Sequence, residues 1–223
     1  MTLPKGLKIW FSKMGDNVAY HAGDSTKREV EANHKRLLES QGFCLEQLVF
    51  LNQVHGKEIL KANHFGLLGE GDGILIDKKG IVGLIMVADC NPIVIFDSQN
   101  KILVMLHAGR LGVEKGIVFE ACKVLQEQYG SHFQNLFAYV GPSIRKCCYE
   151  VQEEVISEPL MEGKILQNGK IYLDLVAVLK RQFNEMGINH YEISPICTCC
   201  DKRYFSYRRD KKCGRFGMFA SLE

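Results

Sequence analysis

No apolar run in this sequence approaches the roughly 18 residues that a membrane-spanning helix needs, so no passage through a membrane is expected. The opening "MTLPKGLKIWFSK" lacks the continuous apolar core of a secretory signal. Neither sign of charge is in excess. The net charge of +2 predicts no strong field toward nucleic acid or a membrane surface. No internal repeat, low-complexity tract or linker breaks the chain, so one domain over residues 1–223 is expected. Cysteine, by contrast, is abundant: there are nine, an odd number. Without a secretory signal a cytoplasmic setting is expected, where thiols stay reduced. Metal binding, catalysis or core filling then outranks a disulfide framework.

Hydrophobic residues make up 46% of the chain, enough to build a core. Residues 7–12 predict a short strand. "STKREVEANHKRLLESQG" predicts a helix, with Thr26 and Glu29 as a capping box and Gly42 where it stops. "LEQLVFLNQVHG" predicts a strand running into a loop. "DGILIDKKGIVGLIMVADC" predicts a hairpin turning at Lys78–Gly80, and "NPIVIFDSQNKILVMLHAG" a second one turning at Ser98–Lys101. These strands are apolar on both faces, so their sheet is expected to be covered on both sides. One helix is expected over 112–130, burying Ile117, Ala121, Cys122 and Leu125. A strand is expected over 135–144 and another helix over 174–187. The tail from Tyr191 mixes a short strand with a loop rich in Arg and aromatics. Together these predict an α/β fold: a single compact domain with a central mixed sheet flanked by helices.

Three metal-loving side chains fall where apolar strands give way to small residues: His55, Cys90 and His107. Their spacing fits no zinc-finger expression, so the argument for a shared site is topological. Neighbouring strands bring their ends together, and two imidazoles with a thiolate suit a zinc that keeps one position open. Such a zinc lowers the pKa of its water to about 7. Each residue also has a plain reading: Cys90 as a core thiol, His107 as a satisfied strand-end histidine, His55 as a surface loop residue.

The motifs "NQVHG", "ADCNPIVIFD", "HAGRLG", "GPSIRKCCYEV" and "CTCCDKRYFSYRRDKKCGR" follow one another in that order. In them the chain resembles the YfiH/YlmD/FAMIN family of laccase-domain proteins, once labelled multicopper polyphenol oxidase, from about Phe11 to Phe219. The resemblance implies a compact α/β fold and zinc held by His55, Cys90 and His107. It implies phosphorolysis of adenosine, inosine, guanosine and methylthioadenosine, and deamination of adenosine. The implied partners are purine nucleosides and phosphate, and the resemblance permits a monomer. Some bacterial members carry the label of peptidoglycan editing factor. One departure stands out: the family usually reads "HAGWRG", and here Arg110 stands in the place of Trp and Leu111 in the place of Arg.

For this chemistry Asp89, beside Cys90, is a candidate proton shuttle, with second-sphere hydrogen bonding as the alternative. Arg110, Arg208 and Arg209 are candidates for phosphate, since guanidinium offers a planar fork. Tyr149 and Phe205 are candidates to stack on a purine, and Gln53 and Asn33 to hydrogen-bond base or ribose. Three rival readings stand beside this one. Copper would suit a His/His/Cys set, but the chain has seven histidines and no His-x-His pair, which argues against a true laccase. Cys90 with His107 as its base would make a cysteine amidase, acting on cell-wall precursors. A metal-bound, non-enzymatic regulator is the third. In the tail, Cys197 and Cys200 form a Cys-x-x-Cys with Cys199 between them and Cys213 beyond. Cys147 and Cys148 are the candidates to complete a zinc site there, although isolated thiols are the expectation.

Overall fold

The computed structural model describes residues 3–223. Along the chain run β1 (Leu7–Phe11), α1 (Lys27–Glu39), β2 (Leu48–Asn52), β3 (Ile59–Lys61), β4 (Gly66–Glu70), β5 (Gly73–Ile76), β6 (Val82–Val87), β7 (Asn91–Asp97) and β8 (Ile102–Ala108). Then follow α2 (Arg110–Glu114), α3 (Ile117–Tyr129), β9 (Leu136–Val140), β10 (Glu150–Val151), β11 (Lys164–Gln167), β12 (Lys170–Leu173), α4 (Leu175–Glu185), β13 (His190–Ile193) and β14 (Phe216–Leu222).

The expected single sheet is two large sheets packed face to face, beside a small three-stranded one of order β10-β12-β11. One large sheet has the order β1-β14-β6-β2-β4 and the other β13-β9-β7-β8-β5-β3. The period-2 alternation of the strands assigns the layers. Ile74, Ile76, Ile85, Val87, Val94, Phe96, Leu103, Met105, Phe216 and Met218 fill the space between the sheets. The intervening positions Leu75, Ile93, Ile95, Val104 and Leu106 turn outward under α3 and α4. Val82, Leu84, Met86 and Phe219 turn outward toward Leu37 and Leu38 of α1. The result is a helix/sheet/sheet/helix stack, an α/β domain whose strands are covered on both faces, as their composition predicts.

Local signals account for the ends of the helices. Thr26 and Glu29 form the capping box of α1, with Glu29 N–H donating to Thr26 Oγ1 and Thr26 N–H to Glu29 Oε2 at 2.7 Å. Asp174 caps α4 through the N–H groups of Val176 and Ala177. The helix expected over 112–130 is split into α2 and α3 at Gly116, which takes φ +76°, open to glycine without strain.

The first expected hairpin is corrected. β5 pairs with β8 and β3, whereas β6 pairs with β14 and β2, so residues 77–81 carry the chain from one sheet to the other. The second hairpin forms as expected, with Pro92 opposite His107 and Asp97 opposite Ile102.

Candidate metal centre and adjoining cleft

Strand directions bring the three candidate ligands to one rim. β2 and β6 run parallel, pairing Leu48 with Val82 and Phe50 with Leu84, so both C-terminal ends point the same way. Gln53 continues the pairing past the strands: its amide accepts from Met86 N–H and donates to Met86 C=O, both at 2.8 Å. His55 therefore lies beside the β6–β7 turn that carries Cys90. His107, one residue from the end of β8, lies across from Pro92 on β7. One nitrogen of each ring and the Cys90 sulfur all lie within 4.8 Å of one another. Cys90 Sγ is 3.9 Å from His55 Nε2, and the two imidazoles meet edge to face, with centroids 4.7 Å apart.

The residue that organises this triangle is Asp72, which sequence reading placed only at the start of a strand. It is fully buried just ahead of β5. Its Oδ1 accepts from His107 Nδ1 at 2.7 Å, which fixes the ring so that Nε2 is left for a ligand. The same carboxylate accepts from the N–H groups of Val54, His55 and Gly56, at 3.2, 3.0 and 2.6 Å. That ring of donors holds His55 at φ +57°, a conformation few non-glycine residues adopt. One carboxylate thus orients one candidate ligand by its ring and another by its backbone. The signal was the acidic residue in "GEGDG", which reads equally well as turn chemistry.

The electrostatics follow from this packing. Burial pushes the Cys90 thiol up, but the His107 and His55 imidazoles outweigh it and bring it down to about 6. Burial lowers His107, yet Cys90 and Asp72 raise it to about 9. Asp72 would be raised by burial, and its bonds to His107, Gly56 and Val54 hold it below the usual carboxylate range. Gly109 leaves room for the triangle: a Cβ there would lie 2.9 Å from Cys90 Sγ and 3.1 Å from His55 Cδ2. Two imidazoles and a low-pKa thiol, with one imidazole anchored by a carboxylate, fit a tetrahedral ion with one position open.

Cys90 also lines a second space. On one side of it a pocket of about 320 Å³ includes the three candidate ligands with His21, Gln53 and Arg215. On the other side a cleft of about 270 Å³ holds Arg110, Arg208 and Lys211 around Tyr149 and Tyr207. Tyr207 and Ala88 border both spaces. Arg208 stacks its guanidinium over the Tyr149 ring at 5.4 Å. Arg110 opens α2 and pairs with Glu114 at 2.9 Å. The helical turn there sends Leu111 to solvent and Arg110 to the cleft. His21, Tyr207, Lys211 and Arg215 were not anticipated. They come from loops whose approach to Cys90 is a long-range matter.

The fold engages several other candidate residues, and for Asp89 it shows the hydrogen bonding given above as the alternative. Asp89 borders the cleft, but its carboxylate accepts from Thr198 Oγ1 at 2.7 Å and Arg208 N–H at 2.6 Å, so it straps the tail loop in place. It does this from φ +90°. Arg209 spends its guanidinium on the carbonyls of Thr198, Cys199 and Tyr204. Asn33 sits on α1 and donates to Asn17 C=O at 3.0 Å, bordering neither space. Gln53 borders the pocket with its amide engaged by Met86. Phe205, half-buried, packs against the core between the sheets. The expectation of isolated tail thiols fails for four of them: Cys147, Cys148, Cys197 and Cys200 meet in a second cluster, without Cys199 or Cys213.

Fold and site together define the class: a four-layer α/β protein with a two-histidine, one-cysteine pocket beside a cationic cleft. The chain belongs to the family described as multi-copper polyphenol oxidoreductase laccase, which matches residues 11–223. A relative from Clostridium acetobutylicum named purine nucleoside phosphorylase is 32% identical over 79% of this chain and 78% of its own length. The crystal structure of YlmD from Geobacillus stearothermophilus superposes with a TM-score of 0.88 at 27% identity, covering 98% of this chain and 91% of that one. That of YfiH from Bacillus licheniformis gives 0.85 at 27% identity, over 93% and 85%. The resemblance carried by the five motifs and the α/β fold it implied are borne out.

Proposed function

We propose that this chain is a zinc-dependent purine nucleoside phosphorylase, acting on adenosine, inosine, guanosine and methylthioadenosine, with adenosine deamination as a second reaction. The observation that carries this reading is the position of Cys90, which forms a wall common to the metal-binding pocket and the cationic cleft. The naming of relatives such as that of Clostridium acetobutylicum supports it.

Phosphorolysis joins a phosphate oxygen to the ribose anomeric carbon and breaks the bond to the base, which leaves with the electron pair and gains a proton. Arg110, Arg208 and Lys211 bind the phosphate, Arg through its planar fork. Tyr149 and Tyr207 offer ring faces to the purine. Asp89 keeps Arg208 in place through the backbone. His55, Cys90 and His107 hold zinc, with Asp72 orienting them. Zinc, when bound, supplies Lewis-acid polarisation. The pocket lining includes no methionine, the weak axial ligand of a blue-copper centre, which favours zinc over copper. Action as a monomer is part of this proposal.

The test is chromatography of products from adenosine, inosine and methylthioadenosine, each with and without phosphate, beside Cys90→Ala. Phosphate-dependent free base, lost in the variant, is expected, together with phosphate-independent inosine from adenosine. No product from any nucleoside would overturn the reading.

A second reading rests on the row Asp72–His107–Cys90, in which a carboxylate orients an imidazole beside a thiol. That is the order of orienter, base and nucleophile in a cysteine amidase, here for cytoplasmic peptidoglycan precursors. Metal and nucleophile compete for the same sulfur. An amidase would gain activity when zinc is stripped, whereas the phosphorylase would lose it.

A further inference from the structure

The second cysteine cluster lies outside the site described above. Cys147 and Cys148 sit in the turn that follows β9, and Cys197 and Cys200 in the loop that follows β13. Their four sulfurs lie within 4.8 Å of one another. Cys200 Sγ is 3.3 Å from Cys148 Sγ and 3.8 Å from Cys147 Sγ. A tetrahedral zinc with Zn–S bonds of about 2.3 Å sets its sulfurs about 3.8 Å apart. The cluster already has that size.

Core filling does not explain it. Cys122 shows what a core thiol looks like here: alone, fully buried, among the apolar side chains of α3. Cys147 and Cys200 are exposed, yet their side chains turn toward two other thiols. The backbone is arranged for ligation as well. Cys200 N–H and Asp201 N–H both return to Cys197 C=O, closing the Cys-x-x-Cys segment into a tight turn. A parallel bridge between Ser143 and Cys197, with Thr198 N–H donating to Ser143 C=O at 3.1 Å, holds the two loops in register. Arg145 and Lys146, next in sequence to the first pair, supply positive charge, and Arg145 Nη1 is buried without a partner.

We propose that Cys147, Cys148, Cys197 and Cys200 form a closed four-thiolate zinc site, separate from His55, Cys90 and His107. On binding, the four thiols give their protons to water as four Zn–S bonds form, and no electron moves. With no open position the ion does no chemistry; it staples two loops. The staple has a purpose at the cleft. Tyr149 directly follows Cys148, and Thr198, within the second pair, bonds to Asp89 at the base of the cleft. The zinc therefore fixes the wall on which Arg208 stacks. This assignment does not depend on the function proposed above.

The test is zinc content per chain by inductively coupled plasma mass spectrometry after equilibration with excess zinc and desalting. Cys90→Ala is expected to retain one zinc, and the double variant Cys197→Ser/Cys200→Ser to lose one relative to the parent chain. Cobalt loaded into Cys90→Ala is expected to give the intense sulfur-to-metal charge-transfer absorption of a tetrathiolate. A zinc-free Cys90→Ala, or a double variant that binds as much zinc as the parent, would overturn the proposal. The parent chain provides a check that needs no variant to fold. Cys147 and Cys200 should resist iodoacetamide with zinc present and react after chelation. Equal labelling in both states, or a Cys148–Cys200 disulfide in place of metal, would overturn it too.

Discussion

Asp72 shows how much of this site rests on a residue that need not touch substrate. Its carboxylate serves His107 Nδ1 and three backbone N–H groups at once, and it is fully buried. Asp72→Asn keeps the shape but puts an amide donor where an acceptor is needed. Its metal affinity should fall by about 10- to 100-fold, in line with other partners of metal-bound histidine. Chelator competition on the purified variant measures it; unchanged affinity would mean that the ligands orient themselves. The meeting of His55, Cys90 and His107 was legible in sequence because each follows or ends an apolar stretch. Asp72 was not, because an acidic residue between glycines reads as a turn, and only the pairing of β5 with β8 sets it beside His107. The placements of Arg209 and Asn33 were hidden for the converse reason. Polar side chains in motif-rich or helical segments look available in sequence, and only the folded chain shows that backbone carbonyls have taken them.

At the scale of elements, α1 carries a group that ties stability to pH. His34 is fully buried on that helix, with Nε2 2.8 Å from Val18 C=O and Nδ1 without a partner. Burial lowers its pKa, against smaller opposing effects of the Val18 carbonyl and Glu31. The folded state therefore binds this proton less readily than the unfolded chain, whose histidine titrates near 6.5. The His34 contribution is level above that value and becomes a growing penalty as pH falls below it. Urea midpoints at about pH 7.5 and about pH 5.5 should drop more in the parent chain than in His34→Gln. Equal drops would assign the acid sensitivity elsewhere. The helix itself was legible from its capping box. The break between α2 and α3 was not, since a glycine within a periodic apolar pattern does not by itself announce a left-handed turn.

At the scale of the whole molecule, the two-sheet stack depends on β14, the strand that follows the Arg-rich tail loop. All its residues are buried, and it pairs with both β1 and β6. Phe219 turns from it toward α1 and stacks on Trp10, with ring centroids 5.5 Å apart. Phe219→Ala should cost about 3–5 kcal/mol, the usual loss for emptying a buried aromatic site. Denaturant unfolding measures it, and a loss under about 1 kcal/mol would show that the layer beneath α1 repacks. β14 explains why one sheet was expected instead of two. The 72–90 segment has the local pattern of a hairpin, and the choice between sheets is made by a partner strand far away in the chain. The overall α/β character survived that error because it rests on strands apolar on both faces, whichever sheet they join.

The proposed reaction at the space around Cys90 is transfer of a nucleoside's ribose to phosphate. The most direct measurement is the ratio of ribose 1-phosphate formed to free hypoxanthine released from inosine at saturating phosphate. Equal amounts of the two are expected, with both lost in Cys90→Ala. Hypoxanthine accompanied by free ribose, or no cleavage of inosine at all, would contradict it.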